Sequence, residues 1–368
     1  MTTILASTMP DENADSDERK TTFSLPAFDE VSCPSSALTE RRLVYLDTNA
    51  WIELAEKKQD LAALCLREVE NGDVLFPLSY PTISELIEQP VVEQRRKVAE
   101  LMDRLSGGVS FRPFESIRLL ETDRAFQVLL GQAASAPEAS RVLTWIVEYV
   151  GTASVTFDRN WDAAKAREFI EHFTAHPAVR SVCWIVDHAP VEAMGNRHRE
   201  AKVRYVDALS ASIQRGAEAV AKLSGVARKT RLLREERAWV VNKIMAPRFT
   251  QTLLELYGIE RLEEAVKALS AKLGEGNEER FATLMTVAPS VDLWCEIMAE
   301  RVANTTRRVR PQDLHDVDHA LIGATYANIF VTRDRGLVDL ITQRCTVSRR
   351  RGVTVAVGVD ALAEHLKG

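Results

Sequence analysis

The chain contains no run of about 18 apolar residues, so it offers no membrane-spanning helix. It also lacks a G-x-x-x-x-G-K-[ST] or G-x-G-x-x-G string, which removes support for nucleotide binding through a glycine-rich loop. Its five cysteines, Cys33, Cys65, Cys183, Cys295 and Cys345, are odd in number, scattered and without a C-x-x-C pair. A reducing compartment is expected from that usage. The first twenty residues show neither a basic start nor a long apolar region, and a soluble cytoplasmic protein is expected. His172 and His176 stand four apart but without the glutamate of H-E-x-x-H, and Pro177 follows them, so they read as a surface pair. Asp187 and His188 have no Ser or Cys nucleophile signature beside them. No fixed-period repeat is present, which leaves a solenoid unsupported.

What is present is a chain of 368 residues, 46% hydrophobic, long enough for one large domain with an insertion or for two to three ordinary ones. Its formal charge of -6 is uneven: residues 1 to 40 hold eight acids against Arg19 and Lys20, which accounts for the whole deficit. That segment is rich in acids, Ser, Thr and Pro, has little periodicity, and is expected to be a disordered acidic tail. From residue 301 onward ten arginines and one lysine face seven acids. A local positive field of that kind suits a polyanion such as nucleic acid, although a solvated charged surface would read the same way.

The pattern divides the rest into three. In 41–112, "LVYLD" reads as a short buried strand, the stretch to Gly72 as one or two helices, "VEQRRKVAELMDRLSGG" as a helix with a Gly stop and "VSFRPF" as a short strand. Residues 113–310 read as almost continuously helical. There, Leu262, Ala265, Val266, Leu269 and Leu273 mark one apolar helix face. In 311–368 the alternation returns, with "NIFVT" and "VTVAVG" as strands between helices. Strand and helix in alternation build a parallel sheet covered on both faces. The expected class is therefore α/β, a parallel sheet flanked by helices and split by a large all-α insertion.

Four acids fall where a strand or helix end meets the expected crevice: Asp47, Glu85, Asp316 and Asp334. Parallel sheets bind ligands at the carboxyl ends of their strands. Asp47 ends "LVYLD" and Asp334 follows "IFVT". Two like charges about 4 Å apart at an effective dielectric near 20 repel by roughly 4 kcal/mol, so a converging set calls for a cation. Oxygen ligands without a nearby Cys or His pair suit Mg²⁺ or Mn²⁺, which can activate water and stabilise the leaving oxygen of a phosphodiester. Each acid also has an ordinary explanation. Asp47 could cap the following helix, Glu85 could close a capping box in "TISE", Asp316 could be a first-turn acid behind Asp313, and Asp334 could be a turn residue. Asp316 and Asp318 are about 200° apart on a helix and cannot both face one ion. Val317, Ala320, Leu321 and Ala324 form that helix's apolar stripe, with Asp316, His319 and Gly323 on one flank and Asp318 on the other.

Taken in order, "LVYLDTNAWIEL", "LSYPTISELIE" and "DVDHALIGATYANIFVTRDRGL" resemble the sequence blocks of PIN-domain (PilT N-terminus) nucleases. The resemblance covers 41–112 and 311–368, some 130 positions, and leaves the tail and the helical middle outside it. It implies a PIN-like fold in which Asp47, Glu85, Asp316 and Asp334 are the catalytic and metal-binding acids. Asp316 is preferred to Asp318 because it lies sixteen residues before Thr332, the separation the family's third acid shows. Asn49 and Thr332 match polar positions that orient the acids or their waters, and Asp318 and His319 stand as supporting neighbours. The family further implies a Mg²⁺- or Mn²⁺-dependent ribonuclease, often a toxin of a toxin–antitoxin pair or an RNA-processing enzyme. An insertion of about 200 residues departs from its compact members.

The expected function is therefore a metal-dependent phosphodiester hydrolase, an endoribonuclease by resemblance, with Arg310, Arg333 and Arg335 contacting nucleic acid. Phosphate contacts carry no sugar identity, so DNA stays open as substrate. The competing expectation is a non-catalytic PIN-like module that binds RNA or protein on a helical scaffold. A protein partner for the helical middle and a homo-oligomer are left open, and no membrane is expected.

Overall fold

The computed structural model describes residues 40–146, 180–188, 222–273, 278–304 and 313–366, with 21–23, 155–157 and a few single positions between 203 and 220. Eight strands are present among them: β1 (Thr21–Phe23), β2 (Arg42–Leu46), β3 (Val74–Leu75), β4 (Val109–Phe111), β5 (Leu143–Trp145), β6 (Val155–Phe157), β7 (Ile329–Thr332) and β8 (Thr354–Val357). Four of them form a parallel sheet in the order β3-β2-β7-β8. The first strand of the sheet is thus interior, and β7, nearly 300 residues later, lies beside it with Leu46 opposite Val331.

The burial of β2 explains why it reads as an unbroken apolar run. Val44 and Leu46 pack on one side of the sheet with Trp51, Leu54, Val331 and Leu362. Leu43 and Tyr45 pack on the other with Leu321, Phe330 and Ile297. A strand covered on both faces has no polar alternation to show. β8 is the edge strand, and its Thr354 and Val357 are exposed.

Helices α1 (Thr48–Lys57) and α2 (Gln59–Asn71) connect β2 to β3, and α3 (Tyr80–Glu88) and α4 (Val92–Ser106) lead from β3 to β4. α2 ends at Gly72 with φ 85° and α4 at Gly107 with φ 57°, left-handed caps that glycine adopts without strain. β4 is a strand as expected, but its strand partner is β5, antiparallel, within the stretch expected to be helical. A single parallel bridge from Leu78 to Ser110 joins this hairpin to the main sheet. β1 and β6 pair antiparallel as well, so residues 21–23 of the expected tail are a strand. Residues 1–20 and 24–39 lie outside the described residues, as do His172 and His176. Asp187 forms an ion pair with Arg96 at 2.9 Å.

The middle supplies α5 (Phe114–Leu129), α6 (Val182–His188), α7 (Gly225–Val240), α8 (Ala246–Leu273, broken at Gly258), α9 (Glu278–Thr286) and α10 (Pro289–Ala303); α6 packs on α4 in the core of Val44 and Leu46, and the others form a helical layer. Phe126, Val241, Phe249, Leu269, Leu273 and Leu284 share one core there. Leu269 and Leu273 of the expected apolar face are buried, Ala265 and Val266 partly so, and the Leu262 side chain lies outside the described residues.

Helix α10 ties this layer to the sheet through acids spaced four apart. Asp292 receives Arg237 at 2.7 Å and pairs with Arg350. Glu296 accepts from the backbone N–H of Thr346 at 2.7 Å and of Val347 at 3.2 Å, and Glu300 pairs with Arg344 at 3.4 Å and with Lys229. At the start of α10, Glu121 accepts from the backbone N–H of Ser290 and Val291 and from the Tyr326 hydroxyl.

The chain closes with α11 (Asp313–Tyr326), α12 (Arg335–Asp339), α13 (Val347–Arg351) and α14 (Leu362–Leu366). Val317, Ala320, Leu321 and Ala324 of α11 are fully buried, as its spacing predicts. Among the described residues no helix is long and apolar enough to cross a membrane.

Gly323 sets how closely α11 approaches the sheet. A Cβ there would lie 2.5 Å from Tyr45 Cδ1 and 2.6 Å from Phe330 Cδ2, both in fully buried rings. Gly→Ala inside a helix ordinarily stabilises by roughly 1 kcal/mol. Here overpacking reverses the sign, and Gly323→Ala is expected to destabilise by about 1–3 kcal/mol in urea melts. An increase in stability would show that α11 has room to move.

Candidate active site

Asp47 follows the last residue of β2 and caps α1, with φ −67° and ψ 168°, its Oδ1 accepting the Ala50 N–H at 2.7 Å. The ordinary explanation for this acid therefore holds, and a second role accompanies it. Its Oδ2 accepts the Arg333 N–H at 3.2 Å, across the β2–β7 pair, while its own N–H donates to the Val331 carbonyl at 3.0 Å. Asp334 caps α12, accepting from Leu337 N at 3.0 Å, and its N–H donates to Thr332 Oγ1 at 3.1 Å. Thr332 is buried and Asp334 is exposed. The first and last acids of the expected set thus stand at one carboxyl edge, joined through Arg333. Asn49 is exposed on the first turn of α1.

Glu85 does not close a capping box. The cap of α3 is Ser79, whose Oγ accepts the Thr82 N–H, so the helix has begun five residues before Glu85. Its carboxylate instead meets His319 Nε2 at 3.2 Å, with His315 Nδ1 at 4.0 Å. Burial would raise its pKa, but His319, His315 and the neighbouring Thr48 outweigh it and hold the group down at about 2. His319 is buried, with Nδ1 2.6 Å from the Tyr45 hydroxyl. Burial disfavours its charged form, yet Tyr45, Glu85 and Asp47 push its pKa well up.

Asp316 and Asp318 occupy different surroundings on α11. Burial and the charge of Asp334 push Asp316 up to about 6, with His319 and Arg301 acting the other way. Burial and the charge of Glu115 push Asp318 up to about 7. Asp316 is thus within electrostatic reach of Asp334, and Asp318 within that of Glu115 on α5.

Among the described residues, no group of three or more His, Cys, Asp or Glu side chains lies close enough to hold a metal ion. Both Asp47 oxygens accept backbone N–H groups, and Glu85 faces two imidazoles. Mg²⁺ needs only one or two protein carboxylates and keeps several waters. Asp334 is among the charges that raise Asp316, so these two carboxyls repel one another. A four-carboxylate cage does not describe this arrangement.

Arg333 pairs with Glu53 at 3.3 Å and Arg335 is exposed at the start of α12, while Arg310 lies outside the described residues. Four other arginines of the basic C-terminal stretch are exposed but engage groups of the protein itself. Arg344 and Arg350 pair with acids of α10, Arg349 donates to the Cys345 carbonyl, and Arg351 donates to the Thr325 carbonyl. Tyr45, Ser79 and His315 join the site without having been singled out in the sequence. Tyr45 is the one with a readable sign, since a hydroxyl inside a buried strand needs a partner. Comparison of the chain with protein-family models, curated proteins and solved structures finds no match.

The Asp316 shift has a measurable consequence. Its folded pKa lies above the unfolded value, so the folded chain holds this proton more tightly. That contribution is complete below pH 4, falls away as pH rises to about 6, and leaves a penalty above it. Asp316→Asn is expected to stabilise by about 1–3 kcal/mol at pH 7.5 and negligibly at pH 4, read from urea melts at both values. Equal effects at the two pH values would show that the carboxyl is not held up.

Proposed function

We propose that the chain is a metal-dependent phosphodiester hydrolase, most simply an endoribonuclease of the PIN type. The observation that carries this reading is the bond from Asp47 Oδ2 to Arg333 N at 3.2 Å, which closes two segments nearly 290 residues apart into one acidic edge. The strand order, with β2 interior and β7 beside it, supports the same reading because it puts both acids at the carboxyl ends of adjacent parallel strands.

In this reading Asp316 and Asp334 hold a Mg²⁺ or Mn²⁺ ion. Bound there, the ion would supply Lewis acidity, making water a better nucleophile and polarising a phosphate oxygen. Asp47 keeps the 332–334 turn against α1, so Asp334 holds its place. Glu85, ionised at neutral pH, is an acceptor that orients the attacking water. Arg335 and Arg333 stand on either side of Asp334, where their guanidinium groups would contact phosphates of the bound strand. A cytoplasmic, reducing setting fits Cys65, Cys183, Cys295 and Cys345, which are free thiols.

A second reading is a PIN-like module that binds RNA or a protein without cleaving. The absence of a three-ligand cluster among the described residues favours it. The two separate cleanly in solution. Purified protein is expected to cut single-stranded RNA with Mg²⁺ or Mn²⁺ and to stop with EDTA, and Asp334→Asn should lower kcat by about 100-fold or more, on the scale of losing a metal's several kcal/mol of charge stabilisation. Equal cleavage by wild type and the variant would sink the assignment. RNA binding without divalent-ion binding would establish the module.

A further inference from the structure

Beneath the acids runs an unbroken chain of polar side chains. Glu85 Oε2 meets His319 Nε2 at 3.2 Å, His319 Nδ1 meets the Tyr45 hydroxyl at 2.6 Å, and that hydroxyl meets Ser79 Oγ at 2.6 Å. Ser79 Oγ then meets Thr82 Oγ1 at 2.9 Å and accepts the Thr82 N–H at 3.3 Å. Tyr45, Ser79 and Thr82 are fully buried and His319 is 3% exposed. The chain links three elements, β2, α3 and α11, and touches α3 at two places: its cap and the glutamate six residues further on.

Its inner end is closed at Ser79 and Thr82, so it cannot pass protons to solvent. Its effect is to orient. An ionised Glu85 only accepts, so Nε2 must bear a hydrogen in either charge state of the ring. The other side adjusts without loss: a neutral ring accepts from Tyr45, and a charged ring donates to Tyr45, which then donates to Ser79. Every atom of the chain keeps a partner in both cases, which a buried network requires.

Resting on the nuclease reading above, we propose that His319 is a positioning residue: it engages Glu85 Oε2 and leaves Oε1, which has His315 Nδ1 at 4.0 Å and beyond hydrogen-bond reach, as the oxygen offered to the attacking water. Tyr45, anchored at the cap of α3, fixes the ring that makes this selection. The same bonds tie α3 to β2 and α11 and so fix the direction of the glutamate.

The test uses the full chain labelled with ¹⁵N in its histidine rings. His319 Nε2 is expected in the protonated range throughout pH 6–9, and a bare Nε2 overturns the proposal whether or not the protein cuts RNA. In Mn²⁺-dependent cleavage of single-stranded RNA, His319→Leu is expected to lower kcat by about 10–100-fold with little change in KM. His319→Gln, whose terminal N–H reaches toward the Nε2 position, should recover most of that loss. Should the leucine variant not fold, Tyr45→Phe removes a single oxygen and is expected to lower kcat by about threefold to tenfold. Wild-type kcat in a folded Tyr45→Phe or His319→Leu protein overturns the positioning role. A wild-type protein that has the protonated Nε2 but cuts no RNA overturns the nuclease reading, and the catalytic role of His319 with it.

Discussion

The parallel register between residues 44–46 and 329–331 is the constraint on which the remaining architecture depends. Without it, Asp47 and Asp334 belong to unrelated parts of the chain. With it, the Asp47 carboxylate serves both the cap of its own helix and the backbone of Arg333. The entropy of closing so long a loop rises only with the logarithm of its length, each doubling adding roughly 0.6 kcal/mol. A large insertion is therefore compatible with the sheet, provided its two ends return to the same place. Helix α10 secures that return, since its buried acids meet residues 344–350 on one side and Arg237 and Lys229 on the other. The acids are buried but Arg344, Arg350 and Lys229 are partly open to solvent, so these pairs specify where the layers dock more than they strengthen the docking.

The acidic edge is electrostatically divided. Glu85 is held down at about 2 by two imidazoles, while burial and neighbouring acids push Asp316 to about 6 and Asp318 to about 7. Opposed shifts among neighbouring carboxyls are the arrangement by which one site keeps both a permanent anion and a group that readily holds a proton. The anion here is secured from within the fold, through His319 and Tyr45. His319 and Arg301 offset the burial of Asp316 only in part, and its unfavourable charge is the feature that a bound cation or a functional proton would resolve.

Much of this was legible in the sequence, and most of the parts that were not share a cause. The strand at 42–46, the helix stops at Gly72 and Gly107 and the apolar stripe of α11 follow from local rules, and so does Asp47 as a cap. The capping box proposed for Glu85 failed because Ser79, three residues ahead of Thr82, offers the same chemistry and is followed by Pro81, which favours the first turn. The β4–β5 hairpin was hidden because "LTW" is three residues long and depends on a partner some thirty residues away. Tyr45 passed for one more apolar residue, because its ring packs with the core and only its hydroxyl is polar. Apart from the local competition between two caps, each miss concerns an interaction whose partner lies outside the window that periodicity can sense.

The arginines carry the same lesson into function. A count of charges after residue 301 describes a strongly basic end, yet the fold directs Arg344 and Arg350 to acids of α10 and Arg349 and Arg351 to backbone carbonyls. All four stay exposed: acids of α10 offset Arg344 and Arg350, whereas Arg349 and Arg351 bond only neutral carbonyls and keep their full charge. Of the arginines nearest the acids, Arg335 is exposed and Arg333 leans toward Glu53. In the proposed reading the exposed C-terminal arginines would contribute to drawing in a nucleic-acid strand, and Arg333 and Arg335 would hold it, because only they flank the acid proposed to act on it. Long-range attraction depends on the total of exposed charge, whereas positioning depends on its distance from the acidic edge.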